Sequence, residues 1–199
     1  MPANIDERKV TASSPFLLVK KLARMKAERV ASSMQYVAGK KNPHATCYQL
    51  HTTIIAADSL AIIETKRVKD KNLVHQLTKF RLGNYFVFGK PTTKKEAILF
   101  LSTISNTYHY FVTGLFVKRV KGKVIHQSVT KSKLVFKKIT TSEIEKYVDT
   151  QPVLTFAGSY QIEKGTPGEK FVKKITGSYT NVLGLPAEKI KKFLLRSQR

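Results

Sequence analysis

The stretch 54-IIAADSLAII-63 sets the problem: an apolar run that reads as a buried β-strand carries one carboxylate, Asp58, at its centre. Burying an unpaired charge is expensive, so Asp58 either ends the strand at a turn or is held there for chemistry. Working outward, strand-like sequence runs from Cys47 through Ile63. Upstream, Ser13-Ser14-Pro15 supplies a serine N-cap and a first-turn proline. Phe16, Val19, Leu22, Ala23, Ala27, Val30, Ala31 and Met34 then recur at mostly three- and four-residue spacing, predicting an amphipathic helix from Phe16 to about Val37 that Gly39 to Pro43 ends. Downstream, 66-KRVKDKNLVHQLTKFRLGN-84 is basic and weakly patterned, which predicts an inserted loop or hairpin. Tyr85-Phe86-Val87-Phe88 resumes a strand and runs into the turn Gly89-Lys90-Pro91.

Beyond that turn, Thr93-x-x-Glu96 reads as a capping box for a second helix with Ala97, Ile98, Leu101 and Ile104 on its buried face. Two strands, Tyr108 to Val120 and Val124 to Phe136, are joined at Lys121-Gly122-Lys123 as a hairpin. Thr140-x-x-Glu143 caps a short helix through Tyr147. The Gly-rich remainder reads as strand-like before a last helix from about Glu188 to Leu195. Interleaved strands and helices with one long hairpin predict a mixed α/β sheet. At 199 residues the expectation is a single domain over 1–199, short at its N-terminus and interrupted by the basic insertion at about 66–84.

The composition bounds the partners. Lys and Arg total 36 against 13 Asp and Glu, a formal charge of +23, which draws phosphate-rich ligands such as nucleotides, RNA or an anionic surface. Only eight of the basic residues are Arg, and the lysines fall in dispersed pairs that also suit an ordinary solvated surface. The single Cys47 excludes an internal disulfide framework and fits a reducing cytosol. With no apolar run near membrane-spanning length and no leader-like start, the expectation is a soluble, cytoplasmic protein without a membrane partner.

Several chemistries drop out. One cysteine cannot build a thiolate metal cluster, the five histidines show no ligand spacing, and no GxSxG, GxGxxG or Walker loop occurs. Carboxylates and lysines remain, and these are the parts phosphate chemistry uses: cations hold the phosphates and a carboxylate activates water. Asp58 follows an apolar strand, Lys90 sits in a turn after another, Lys26 lies in the first helix and Glu7 precedes it. Each also has a plain structural reading, as a strand-end carboxylate, a turn residue or one more helical lysine.

Their order and surroundings resemble the Maf family of nucleoside triphosphate pyrophosphatases, named for septum formation. The resemblance rests on Ile5-Asp6-Glu7, LARMKAERV at 22–30, AADS at 56–59, GKP at 89–91, EAILFLSTIS at 96–105 and HYFVTG at 109–114. EIEKYVDT at 143–150, AGSYQIEKG at 157–165 and ITGSYTNVLGLP at 175–186 complete it, so that only the basic insertion stands outside. The resemblance implies an elongated α/β sheet structure with flanking helices and a central cleft, of the inosine-triphosphatase-like type and often dimeric. It implies hydrolysis of non-canonical or modified nucleoside triphosphates to the monophosphate and pyrophosphate, a house-cleaning role, with Mg²⁺ or a similar divalent ion such as Mn²⁺.

Position by position, Asp58 matches the aspartate that would activate water, with Glu7 and Asp58 as the carboxylates toward the metal. Lys26 and Lys90 match the lysines facing the phosphates. Ser59 and Glu163 fall at positions associated with base selection. An ionised Glu163 only accepts hydrogen bonds, which suits the donors of a guanine-like base, whereas AADS and GSYTNVLGLP look more like the branch acting on dTTP and UTP. Glu163 can equally answer Lys164 at a surface turn. The family also opens with a strand and a Ser-x-Ser-Pro-Arg-Arg loop that grips phosphates; the expectation is that this chain starts past it, since Ser13-Ser14-Pro15 follows the Ile-Asp-Glu block and lacks the arginines. Two functions follow: an active pyrophosphatase, or a non-catalytic relative that binds nucleotide or RNA through its basic surface.

Overall fold

In the computed structural model, which describes residues 5–41, 52–119 and 124–196, the apolar run around Asp58 is one long strand, β1 (Thr53–Glu64). Asp58 is in its middle, not at a turn. The other strands are β2 (Arg81–Leu82), β3 (Tyr85–Phe88), β4 (Tyr108–Arg119), β5 (Val124–Phe136) and β6 (Val172–Thr176). They form a six-stranded sheet in the order β2-β3-β1-β4-β5-β6. The helices are α1 (Pro15–Lys41), α2 (Lys71–Leu77), α3 (Lys94–Ile104), α4 (Thr141–Thr150), α5 (Tyr179–Val182) and α6 (Ala187–Arg196). The α/β class with flanking helices holds. Every described strand pairing is antiparallel rather than mixed, because neighbouring strands meet through hairpins or through excursions that return on the opposite heading.

Alternation along β1 divides the core between two faces. Ile54 and Ala56 pack under Ala23, Ala27 and Ala31 of α1, and Leu60 and Ile62 join Val19. On the opposite face Ala61 and Ile63 enter the larger core with Phe88, Phe100 and Leu101, Ile144 and Val148 of α4, and Phe136. Small residues on α1 bring the helix down onto the sheet, and Gly114 of β4 completes the approach. A Cβ built there would lie 2.2 Å from the Val19 carbonyl oxygen, too close for any side chain. Gly114 is also the cross-strand partner of Asp58, so the tightest contact of α1 with the sheet falls beside that carboxylate.

Local signals explain most helix ends. Thr140 and Glu143 close a complete capping box on α4. At α3, Thr93 accepts from the Glu96 N–H, but the Glu96 carboxylate takes the N–H and hydroxyl of Thr92 (2.8 and 2.7 Å), one residue earlier than the expected box. The basic insertion is part helix and part hairpin. Asp70 caps α2 by accepting from the Asn72 and Leu73 N–H groups; Leu77 is fully buried, and Leu73 and Val74 pack against the larger core. β2 then pairs with β3 as a tight hairpin.

The Gly-rich segment departs most from its strand-like reading. Gly158 and Ser159 take positive φ (71° and 68°) and turn the chain at AGS, so that among the described residues of this segment only Val172–Thr176 forms a strand. Of the five histidines, His109 is fully buried with its Nε2 2.7 Å from the Tyr160 hydroxyl, and burial lowers its pKa to about 3. Cys47, the expected start of the strand there, the Gly39 to Pro43 helix end and the Lys121-Gly122-Lys123 turn fall wholly or partly outside the described residues.

Candidate active site

A cleft of about 590 Å³ opens on the α1 side of β1, lined by Glu7, Lys26, Asp58, Ser59 and the Gly89-Lys90-Pro91 turn among others. Asp58 is 7% exposed at its floor. The Lys26 ammonium, reaching down from α1, donates to its Oδ1 and also lies 2.8 Å from Glu7 Oε1. Among the described residues no hydrogen bond is made to Asp58 Oδ2. The helical turn at Glu7–Lys9 thus brings one carboxylate, the long helix one cation and the strand a second carboxylate to a common point.

Burial is the largest influence on Asp58 and pushes its pKa above the ordinary carboxylate value; Glu7 adds to the rise, while Lys26 and Lys90 oppose it. Burial works against the charged form of Lys26, but Asp58 and Glu7 outweigh it and hold that pKa above the usual lysine value. The proton of the pair therefore resides on Lys26, and Asp58 is an ionised carboxylate of heightened basicity. Such a group can accept a proton from a water held before it.

Two packing devices hold the frame. The Gly158 N–H donates to the Gly89 carbonyl at 3.0 Å, and a Cβ at Gly158 would lie 2.7 Å from Ala61 Cβ. The AGSY turn thereby pins the GKP turn against β1 and sets where Lys90 stands. On the other side, Ser59 Oγ lies 2.8 Å from Thr113 Oγ1, which donates to the Asn181 carbonyl at 3.2 Å; the Gly184 carbonyl lies 3.5 Å from Ser59 Oγ. Buried Asn181 donates through Nδ2 to the Phe111 carbonyl and Ser132 Oγ (3.0 and 3.1 Å), tying the SYTN segment to β4 and β5.

Of the residues singled out from sequence, Glu7, Lys26, Asp58, Ser59 and Lys90 all line the one cleft. Glu163 does not: it occupies an exposed turn whose carbonyl accepts from Thr166, and no ion pair joins it to Lys164 among the described residues. Gly114, Thr113 and Asn181 position the site but escaped sequence reasoning as individual residues. The HYFVTG and SYTN blocks contained them, yet nothing local says that a glycine faces a helix backbone or that an asparagine bridges two strands.

The family model described as "Maf-like protein" matches residues 1–197. Among curated proteins, a dTTP/UTP pyrophosphatase of Treponema denticola is 28% identical over 196 residues, covering 98% of this chain and 84% of the relative. A dTTP/UTP pyrophosphatase of Agrobacterium fabrum is 29% identical over 94% of this chain and 74% of its own length. One from Clostridium botulinum is 36% identical over 64% of each.

Proposed function

Because the chain belongs to the Maf family, we propose that it hydrolyses a nucleoside triphosphate to the monophosphate and pyrophosphate, acting on nucleotides that are non-canonical or modified. The observation that carries this reading is the buried Asp58–Lys26 pair at the floor of a cleft that Lys90 also faces. Asp58 is the general base: its Oδ2 takes a proton from water, and its raised pKa makes it a stronger acceptor than an exposed carboxylate. Lys26 holds Oδ1 and orients the carboxylate. Lys90, on a turn pinned by Gly158, meets the phosphates as a flexible counter-charge.

Glu7 and Asp58 are hard oxygen donors that converge on one ammonium, which fits a divalent ion such as Mg²⁺ or Mn²⁺ held by one or two carboxylates and phosphate oxygens. Among the described residues no cluster of three or more His, Cys, Asp or Glu forms, so phosphate and water oxygens would complete the shell. When bound, the ion neutralises phosphate charge. The relatives' names favour dTTP and UTP as first substrates to try, with Ser59, which lines the cleft beside Asp58, as the base-selecting position. The residues act as one domain. The test is pyrophosphate release with Mg²⁺ or Mn²⁺ across canonical and modified triphosphates; turnover of at least one is expected, and inactivity on the whole panel would overturn the reading.

A further inference from the structure

A net charge of +23 is far more than a triphosphate site uses, and one part of the surface gathers cations onto aromatic rings. The sheet face that α1 covers continues past that helix's N-terminal end. Phe16, in the first turn of α1, meets Tyr85 of β3 edge-on at 5.7 Å, and beyond it no described helix lies on this face. Tyr108 and Tyr110 of β4 stand there with ring centroids 5.7 Å apart. The Arg67 guanidinium carbon lies 3.5 Å and Lys133 Nζ 3.7 Å from the Tyr108 centroid, and Lys131 Nζ lies 4.4 Å from that of Tyr110.

The register extends the row of cations across the sheet. Tyr110 pairs with Lys133, and Val135 pairs with Lys174 of β6. The tyrosines and Lys133 are half-buried, while Lys131 and Lys174 are exposed. Among the described residues none of Arg67, Lys131, Lys133 or Lys174 is ion-paired, and Glu64, a carboxylate on this face, lies 3.6 Å from Lys66. Among the described residues, buried Arg67 Nε has no hydrogen-bond partner, while Nη2 donates to Thr107 Oγ1 at 3.3 Å.

We propose that this open sheet face, built from Tyr85, Tyr108, Tyr110, Arg67, Lys131 and Lys133, binds single-stranded nucleic acid. Tyr108 and Tyr110 stand at 72° to each other with Arg67, Lys133 and Lys131 on their ring faces; an unpaired base stacks on a ring where a lysine swings off it toward the phosphates, and the lysines along β5 and β6 follow the strand. A duplex hides its base faces and would leave the tyrosines unused. The site lies beside the cleft and shares no lining residue with it: Tyr110, opposite Ile62, stands four residues along from Asp58, about 13 Å at strand spacing. The two activities can coexist in one molecule.

The test is fluorescence anisotropy with a labelled oligo(U) of about 12 nucleotides, the matching duplex, and anionic phospholipid vesicles as a third probe, at about 50 to 200 mM salt. The full chain is expected to bind the single strand more tightly than the duplex, with affinity falling steeply as salt rises. Lys131→Glu/Lys133→Glu should weaken binding roughly tenfold or more and flatten the salt dependence by about two phosphate contacts. Tyr110→Leu should weaken the single strand but not the duplex. Lys191→Glu/Lys192→Glu, the same charge change on exposed positions of α6, which packs through Phe193 on His126 of the other face, should leave binding within about twofold, and pyrophosphate release should be unaltered in every variant. No binding at the lowest salt, equal weakening by the control pair, or binding to vesicles in place of the single strand would each overturn the proposal.

Discussion

Replacing Lys26 by Met removes the cation while keeping most of its stem, and it leaves Asp58 ionised, 7% exposed and without its ion-pair partner. Breaking a buried pair from one side costs about 3–5 kcal/mol. The Lys26 side chain is 22% exposed and Lys90 still acts on Asp58, which brings the expected loss to about 2–4 kcal/mol near neutrality. The sign of the pH dependence follows. The folded-state pKa of Asp58 already lies above 3.8, and losing Lys26 raises it further while the unfolded value stays put. The variant's deficit is therefore small below pH 3.8, where Asp58 is protonated in both states, and grows as pH rises through the variant's higher folded pKa, by up to about 1.4 kcal/mol per pH unit. The contribution of His109 is common to both proteins and cancels in the difference. Urea unfolding near pH 4 and pH 7.5 reads both limbs. At the higher pH, Lys26→Met/Asp58→Asn should be more stable than Lys26→Met alone, since the stranded charge is gone. A deficit that is the same at both pH values, or one that Asp58→Asn does not relieve, would refute the reasoning.

Other consequences are equally direct. The acid limb of kcat/KM should lie above pH 3.8, and Lys90→Gln should move it higher because Lys90 holds the Asp58 pKa down; an unmoved limb would detach Lys90 from Asp58. Gly114→Ala should cost about 1–3 kcal/mol or more, since its Cβ meets the Val19 carbonyl, and thermal unfolding should fall by about 2–4 °C per kcal/mol, with activity falling as Lys26 shifts. His109 must stay neutral to remain buried, so stability is present above pH 6.5 and lost as pH falls toward its folded pKa of about 3, with a slope up to about 1.4 kcal/mol per unit; His109→Gln should flatten that slope in acid unfolding curves.

Much of this was legible because the signals are local. Threonine caps announced α3 and α4, four-residue alanine spacing announced α1, and the apolar runs announced β1, β4 and β5. The sequence motifs also carry the residues gathered in the cleft, Asp58, Lys26, Lys90, Glu7 and Ser59. What was hidden depends on pairs distant in the chain. The AGSY turn carries β-compatible residues, but Gly158 must clear Ala61 and its N–H must reach Gly89, so contacts override the local preference. Residues 66–84 looked patternless because α2 is only two turns long and Leu77 alone of them marks its buried face fully. The AGSYQIEKG motif carries Glu163, which is not among the residues lining the cleft that holds Asp58.

The central claim is that Asp58 drives cleavage between the α- and β-phosphates. Phosphorus NMR of UTP and dTTP incubated with Mg²⁺ and either the full chain or its Asp58→Asn variant tests it most directly. The expected result is equimolar monophosphate and pyrophosphate from the unaltered protein, with the rate lowered about 10²–10⁴-fold in the folded variant. Nucleoside diphosphate with inorganic phosphate, or an undiminished rate in Asp58→Asn, would contradict it.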